Sequence, residues 1–249
     1  MCWSGEASTV LASIGSATTV YAAYKKEPSP LWLALGYFTL MEALQAYTYL
    51  VIDECSEPKN QVATLLGYLH IVFQPFFINM LSLHFIPQDI SKKISPIVFS
   101  ICFFSAIFML VQLYPFSWAG QCDALRPLCG SELCSVSGNW HIAWSLPLNG
   151  IGNVFVGTPV LEDGFVTYVF ASFLLPILYG SWRITTYHYV MGPFLALQLT
   201  DNINEWPAIW CLLSIGLLLI VIKTPVRQIL YVKNYNWWRL HKSGSGESE

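Results

Sequence analysis

Long apolar runs are the feature that most constrains how this chain can fold. Of its 249 residues, 55% are hydrophobic and 11% are charged, whereas soluble globular proteins carry roughly 25% charged residues. A helix needs about 20 predominantly apolar residues to cross a bilayer core. The sequence therefore predicts an all-α membrane protein, a bundle of seven transmembrane helices. The predicted spans are residues 6–24, 31–52, 62–86, 94–114, 165–181, 185–200 and 206–223.

The distribution of Lys and Arg predicts the direction of the bundle, because basic residues concentrate in cytoplasmic loops. With the N-terminus outside, Lys59 and Arg126 fall on the outer side and the other ten of the 12 basic residues fall on the cytoplasmic side. We therefore expect the C-terminus in the cytoplasm. Basic and aromatic residues after Pro225 predict an amphipathic helix over 226–241 that lies in the cytoplasmic interface.

The predicted domain organisation is simple. Residues 1–242 form one polytopic membrane domain, and the Ser, Gly and Glu tail at 243–249 is typical of an expression linker. The lipid bilayer is the expected partner. No basic patch interleaves with exposed aromatic residues in a soluble domain, which argues against a nucleic-acid partner.

Five of the seven cysteines map to the predicted outer side, where an oxidising compartment favours disulfides. Four of them can pair and one is left over, and the spacing leaves the connectivity open. The predicted outer loop, residues 115–164, is long for a membrane-protein connector. We expect it to be ordered and to fold over the outer mouth of the bundle. The disulfide candidates are Cys2, Cys55, Cys122, Cys129 and Cys134.

Ionisable residues at bilayer depth indicate functional sites, because each costs several kcal/mol unless it is paired or hydrated. Glu42 lies roughly 13 Å from the outer end of the second predicted span, and His70 lies about 12 Å deep in the third. The two are level and can meet if both face inward. Gln45 lies one turn from Glu42, and Gln74 lies one turn from His70 on the same helix face.

Carboxylates and an imidazole at one depth can hold Zn²⁺, Fe²⁺ or Mn²⁺ with a position open for water or substrate. Glu42, His70 and Glu205 are the predicted catalytic residues, and Gln45, Gln74 and His141 are predicted to line a substrate pocket. An anchored interfacial loop is the alternative explanation for His141. The predicted metal ligands are Glu6, Glu42, His70, Asp201 and Glu205.

Four segments of the chain resemble a family of uncharacterised bacterial integral membrane proteins. They are the opening Met1-Cys-Trp-Ser4, then residues 37–45, 69–77 and 204–211. The resemblance covers essentially the whole membrane portion and implies a multi-pass protein of the bacterial inner (cytoplasmic) membrane. It implies no activity.

These observations leave several functions open. The leading expectation is an outward-facing polar pocket that binds a divalent metal and acts on a small or lipid-like substrate. A proton- or cation-coupled transporter is the alternative, with Glu42 carrying the coupled charge. A sensor or assembly factor without turnover is a third possibility. A buried Glu42–His70 hydrogen bond that only fixes helix register would also explain the pattern.

Overall fold

The computed structural model describes residues 3–155, 165–233 and 235, and these residues are mostly helical. Seven main helical segments lie within the described ranges, and each overlaps one of the ranges predicted as a span. A further short helix, α8, covers Val226–Leu230. The main segments are α1 (Gly5–Tyr24), α2 (Ser29–Thr48), α3 (Pro58–His84), α4 (Gln88–Val111), α5 (Val166–Leu178), α6 (residues 182–199) and α7 (Trp206–Lys223).

Local sequence signals explain where these helices begin and end. The Ser4 side chain accepts a hydrogen bond from the Ala7 N–H and caps α1. Proline occupies the first turn of α2, α3 and α7, where its missing N–H costs no helical hydrogen bond. Gly180 has a positive φ of 89° between α5 and α6, which only glycine adopts readily. A turn at Gly180 therefore separates α5 from α6, which agrees with the predicted break between residues 181 and 185.

Helices α5 and α6 each contain one π-helical turn, Phe170–Leu174 and Val190–Phe194 respectively. The Asn79 side chain of α3 donates a 2.8 Å hydrogen bond to the Ala171 carbonyl inside the first of these turns. The Tyr179 hydroxyl in turn donates to the Asn79 side-chain oxygen at 3.0 Å. This buried network joins α3 to α5.

The segment between α4 and α5 contains a two-stranded antiparallel sheet, β1 (Cys134–Ser137) with β2 (Ile142–Ser145). A 3₁₀ turn follows at Gly150–Phe155. The Asn60 side chain of α3 donates to the Ser135 carbonyl and accepts from the Ser135 N–H, both at 2.9 Å. The outer loop is therefore ordered and attached to the bundle over 115–155, while residues 156–164 lie outside the described ones.

Two disulfides brace this end of the bundle, which we call the outer end. Cys55, in the turn between α2 and α3, is bonded to Cys134 at the start of β1. Cys122 is bonded to Cys129 within the loop. The predicted use of these four cysteines is confirmed, and Cys2 lies outside the described residues.

Within the described residues, three helices, α3, α4 and α7, are long and apolar enough to cross a membrane, and α5 is a shorter apolar helix. The outward faces of these helices are apolar too. On α4, for example, Ile97, Phe103 and Phe104 are all more than half exposed. A chain with such surfaces is compatible with a membrane protein.

The end of the bundle opposite the sheet differs from the prediction in one respect. The expected helix over 226–241 stops at Leu230, and Tyr231 is extended, with ψ of 130°. The Val232 N–H donates to the Phe85 carbonyl at 2.9 Å, and Arg183 donates to the carbonyls of Ile229 and Tyr231. These contacts replace helical hydrogen bonds. The predicted helix therefore does not continue through residues 231–233. Residue 234 and residues 236–241 lie outside the described residues.

We expect the Cys55–Cys134 bond to stabilise the protein more than the Cys122–Cys129 bond, because it joins residues 79 rather than 7 positions apart. Loop-closure entropy gives about 4.5 and about 2.4 kcal/mol for these closures. Replacing Cys55 and Cys134 by Ser should lower the melting temperature of detergent-purified protein more than replacing Cys122 and Cys129. Equal losses would contradict this ranking.

Candidate functional site

Glu42 of α2 is fully buried near the outer end of the bundle. One carboxylate oxygen lies 3.4 Å from the Trp3 indole nitrogen, which also donates to the Ser8 hydroxyl at 2.8 Å. The Ser8 hydroxyl also interacts with this carboxylate. The other oxygen has no hydrogen-bond partner within the described residues. A buried carboxylate with one unsatisfied oxygen is costly unless a further group satisfies it.

Two more polar side chains continue this arrangement along α2. Thr39 and Gln45 lie three residues before and after Glu42, on the same helix face. Both are at most 3% exposed. The Thr39 hydroxyl and both polar atoms of the Gln45 amide lack partners among the described residues. We call Thr39, Glu42 and Gln45 the polar row.

The polar row faces the first helix. Contacts between α1 and α2 are extensive, and Thr39 fits closely against Gly15 of α1. A methyl group added at Gly15 would lie 2.3 Å from the Thr39 hydroxyl oxygen. The small residues of α1 therefore allow the two backbones to approach and enclose the row.

His141 lies in the hairpin turn between β1 and β2 and is fully buried. Its Nδ1 accepts from the Ile142 N–H at 2.8 Å and lies 3.1 Å from the Tyr49 hydroxyl. Because Nδ1 accepts, the proton of the neutral ring is on Nε2. That N–H is buried and makes no hydrogen bond within the described part of the chain.

Aromatic rings close the site toward the outer end. Trp3 stacks on Trp140 and on His141, with ring centroids 5.8 and 6.0 Å apart. The Trp3 backbone N–H donates to the Trp140 carbonyl at 3.0 Å, and this bond attaches the start of the described chain to the hairpin turn. Trp3 therefore lies between Glu42 and the surface.

Glu205, at the start of α7, positions this turn. Its carboxylate accepts from the backbone N–H groups of Asn139, Trp140 and His141 at 2.6, 2.8 and 2.9 Å. A side chain at Gly138 would collide with it, since an added Cβ would lie 2.4 Å from the Glu205 Cδ. We call this arrangement the Glu205 clamp. Both oxygens are engaged by the backbone, so the geometry gives Glu205 a positioning role, and its catalytic and metal-binding roles stay predictions.

His70 is not joined to Glu42 by a hydrogen bond or ion pair in the described structure, contrary to the predicted pairing. It stacks on Tyr37, with ring centroids 3.9 Å apart, and the Tyr37 hydroxyl donates to its carbonyl. Tyr37 in turn stacks on Phe77. These rings line an apolar groove on the outside of α2 and α3. The inward rotation of α3 that a meeting of His70 and Glu42 required is therefore not found.

The other predicted site residues are dispersed. Gln74 is buried, where it accepts from the Tyr168 hydroxyl at 2.7 Å and lies 3.8 Å from the Cys211 sulfur. Glu6 and Asp201 are both exposed. Across residues 3–155, 165–233 and 235, no three His, Cys, Asp or Glu side chains are grouped so as to hold a metal ion. The predicted five-ligand set is therefore not brought together.

Sequence reasoning missed Trp3, Ser8 and Thr39 as members of the site. Trp3 had a signal, since it belongs to the distinctive opening segment. Thr39 also had one, because it lies three residues before Glu42 on the face already identified. Ser8 is one of many small residues in the first span and carries no comparable signal.

Comparison with known proteins gives one match. The chain matches the model of a family of unknown function (DUF5765) over residues 6–231. No curated protein and no solved structure matches it. The match carries no activity, so function has to be argued from the geometry.

Acid should loosen the hairpin through His141. Burial lowers the pKa of His141 to about 3, against about 6.5 in an unfolded chain. Between these values the unfolded state binds more protons, so the free energy of unfolding falls as the pH drops below about 6.5, by about 1.4 kcal/mol per pH unit. The protection factors of the hairpin amides, which compare each amide with its intrinsic exchange rate at the same pH, should therefore fall from about pH 7 to about pH 5. His141→Gln should flatten this dependence and His84→Gln should not; an unchanged slope in His141→Gln would contradict the assignment.

Proposed function

The chain belongs to a family of unknown function (DUF5765), and we propose that it is an integral membrane protein that binds a small cation at the polar row. The observation that carries this proposal is the Glu42 carboxylate, which is fully buried and has one oxygen without a partner among the described residues. A bound cation would supply the missing partner.

Seven membrane crossings with the N-terminus outside are part of the proposal. Its support is the set of seven main helical segments, of which α3, α4 and α7 meet the length and apolarity of a span. The described residues of the opposite, inner end carry most of the basic side chains. There, Arg227 pairs with Glu27 at 2.8 Å, and Lys223 lies over the Tyr21 ring. An inner end rich in basic residues fits a cytoplasmic side.

The chemistry of the site favours a cation over an anion or an uncharged molecule. Glu42 provides negative charge, and the Gln45 and Thr39 oxygens can accept further hydrogen bonds or coordinate an ion. The nearby rings of Trp3, Trp140 and Tyr49 present faces that attract a cation. We therefore propose an alkali ion or a small protonated amine as the ligand.

A route to Glu42 is proposed from the outer surface. An open groove of about 760 Å³ is lined by Trp3, Glu6, Tyr47 and Tyr49, among others. Trp3 is half-buried and forms part of both the groove and the cover of Glu42. Displacing its indole would connect the two, and the exposed Glu6 carboxylate would attract cations to the groove.

Binding is better supported than transport. A pathway across the bundle would have to continue inward past Gln74, but buried apolar side chains fill that region, including Leu31, Leu35, Phe38 and Ile78. Metal-dependent catalysis stays a prediction, since the described residues do not gather three ligands. A binding protein without turnover, such as a sensor, requires only the polar row and a route to it.

The test is cation binding to protein reconstituted in nanodiscs, measured calorimetrically with Na⁺, K⁺ and methylammonium. At least one of these should bind to the wild-type protein. Glu42→Gln should weaken that binding at least tenfold, a loss of about 1.4 kcal/mol, because it removes the negative charge and preserves the shape.

Glu54→Gln is the matched control, because Glu54 is an exposed carboxylate at the same end of the bundle. It should leave the affinity unchanged. Wild-type protein that binds none of the three cations, or equal affinity in Glu42→Gln and wild type, would overturn the proposal.

A further inference from the structure

A separate cleft of about 260 Å³ lies between α5, α6 and α7, beneath Pro127 and Leu128 of the outer loop. It shares no residue with the polar row or with its aromatic cover. Its walls are dominated by aromatic side chains. These are Phe165, Tyr168, Phe173, Tyr189, Trp206 and Trp210.

Both π-helical turns found in the described part of the chain border this cleft. The turn Phe170–Leu174 contributes Phe173, and the turn Val190–Phe194 contributes Pro193. The second turn also places Gly192 against Trp210, where an added Cβ would lie 2.6 Å from the indole Cδ1. Single π turns interrupt regular helix and occur frequently at functional sites. Here two of them shape the walls of one cavity.

Three polar atoms of these walls are engaged within the protein. The Tyr168 hydroxyl donates to Gln74, and the Trp210 indole N–H donates to His188 Nε2 at 2.8 Å. The Trp206 indole N–H donates to the Thr200 carbonyl at 3.1 Å. The cleft therefore presents mainly ring faces and edges, and no charged side chain is among the described residues that line it.

The rings that line the cleft contact one another, and a flat molecule in the cleft would meet further ring faces and edges. Phe173 and Trp210 are stacked with centroids 5.3 Å apart, and Tyr168 meets Trp210 edge to face at 5.6 Å. Aromatic groups favour such offset and edge-to-face contacts. An apolar cavity of about 150 Å³ is large enough to bind benzene, so the larger volume here admits a fused two-ring system.

We propose that this cleft binds the flat, uncharged ring system of a membrane-dissolved molecule. Tyr189 at its edge is 45% exposed on the outside of the bundle, so the cleft opens where the bilayer would lie. The inference depends on the proposed membrane location but not on the cation site, and the two can therefore fail separately.

The test uses 1-bromonaphthalene, whose heavy atom quenches tryptophan fluorescence at contact, with protein in nanodiscs. The wild-type protein should show a saturable component of quenching above the linear partitioning background. Val169→Phe should weaken this component at least tenfold, because Val169 of α5 lines the cleft and the larger ring would occupy it.

Leu174→Phe is the matched control, because Leu174 lies on the same helix, is 45% exposed and does not line the cleft. It should behave as wild type.

Leu197→Phe fills the cleft from α6 and is the second variant to use if Val169→Phe does not fold. Glu42→Gln should leave the quenching unchanged. No saturable component in wild type, or undiminished binding in a folded filled variant, would overturn the proposal.

Discussion

The Glu205 carboxylate accepts hydrogen bonds from three consecutive backbone N–H groups, and the outer half of the structure depends on this contact. Hydrogen bonds to a charged group contribute about 1.5–3 kcal/mol each. They fix the hairpin turn at residues 139–141 directly above the start of α7. The neighbouring Asn204 adds to the attachment, since its side chain accepts from the Leu128 N–H and its carbonyl accepts from the Trp144 N–H.

The cover of the proposed cation site follows from that attachment. Trp140 and His141 are held in place by the Glu205 clamp, and Trp3 is held by Trp140 through a backbone hydrogen bond and ring stacking. Trp3 in turn reaches Glu42. Segments from the start, the middle and the end of the described chain thus combine to enclose one carboxylate. The disulfide from Cys55 to Cys134 keeps the first strand of the hairpin at the same end.

Features that depend on one-dimensional patterns were predictable from the sequence. The positions of the seven helices follow from apolar runs, the turn at Gly180 from glycine, and the four paired cysteines from their placement on the outer side. Burial of Glu42 also followed from its depth in an apolar run. Each of these features depends on which residue types lie at which positions along the chain, and the sequence gives that information directly.

Features that depend on helix rotation or on backbone partners were not predictable. The sequence places His70 at the level of Glu42, but it does not specify that α3 turns His70 toward Tyr37. The positioning role of Glu205 was not predictable either, because its partners are backbone N–H groups that no residue type marks. Gly138 is a local sign of the clamp. The need for glycine at this position becomes clear only when the Glu205 carboxylate is placed beside it.

Hydrogen–deuterium exchange of the Glu205→Gln variant tests the central claim most directly, because it reports on the amides that the carboxylate holds. The amides of Asn139, Trp140 and His141 should exchange markedly faster in Glu205→Gln than in wild type. Glu132→Gln, which changes an exposed carboxylate of the same loop, should exchange as wild type does. Unaltered protection of these three amides in a folded Glu205→Gln protein would contradict the account.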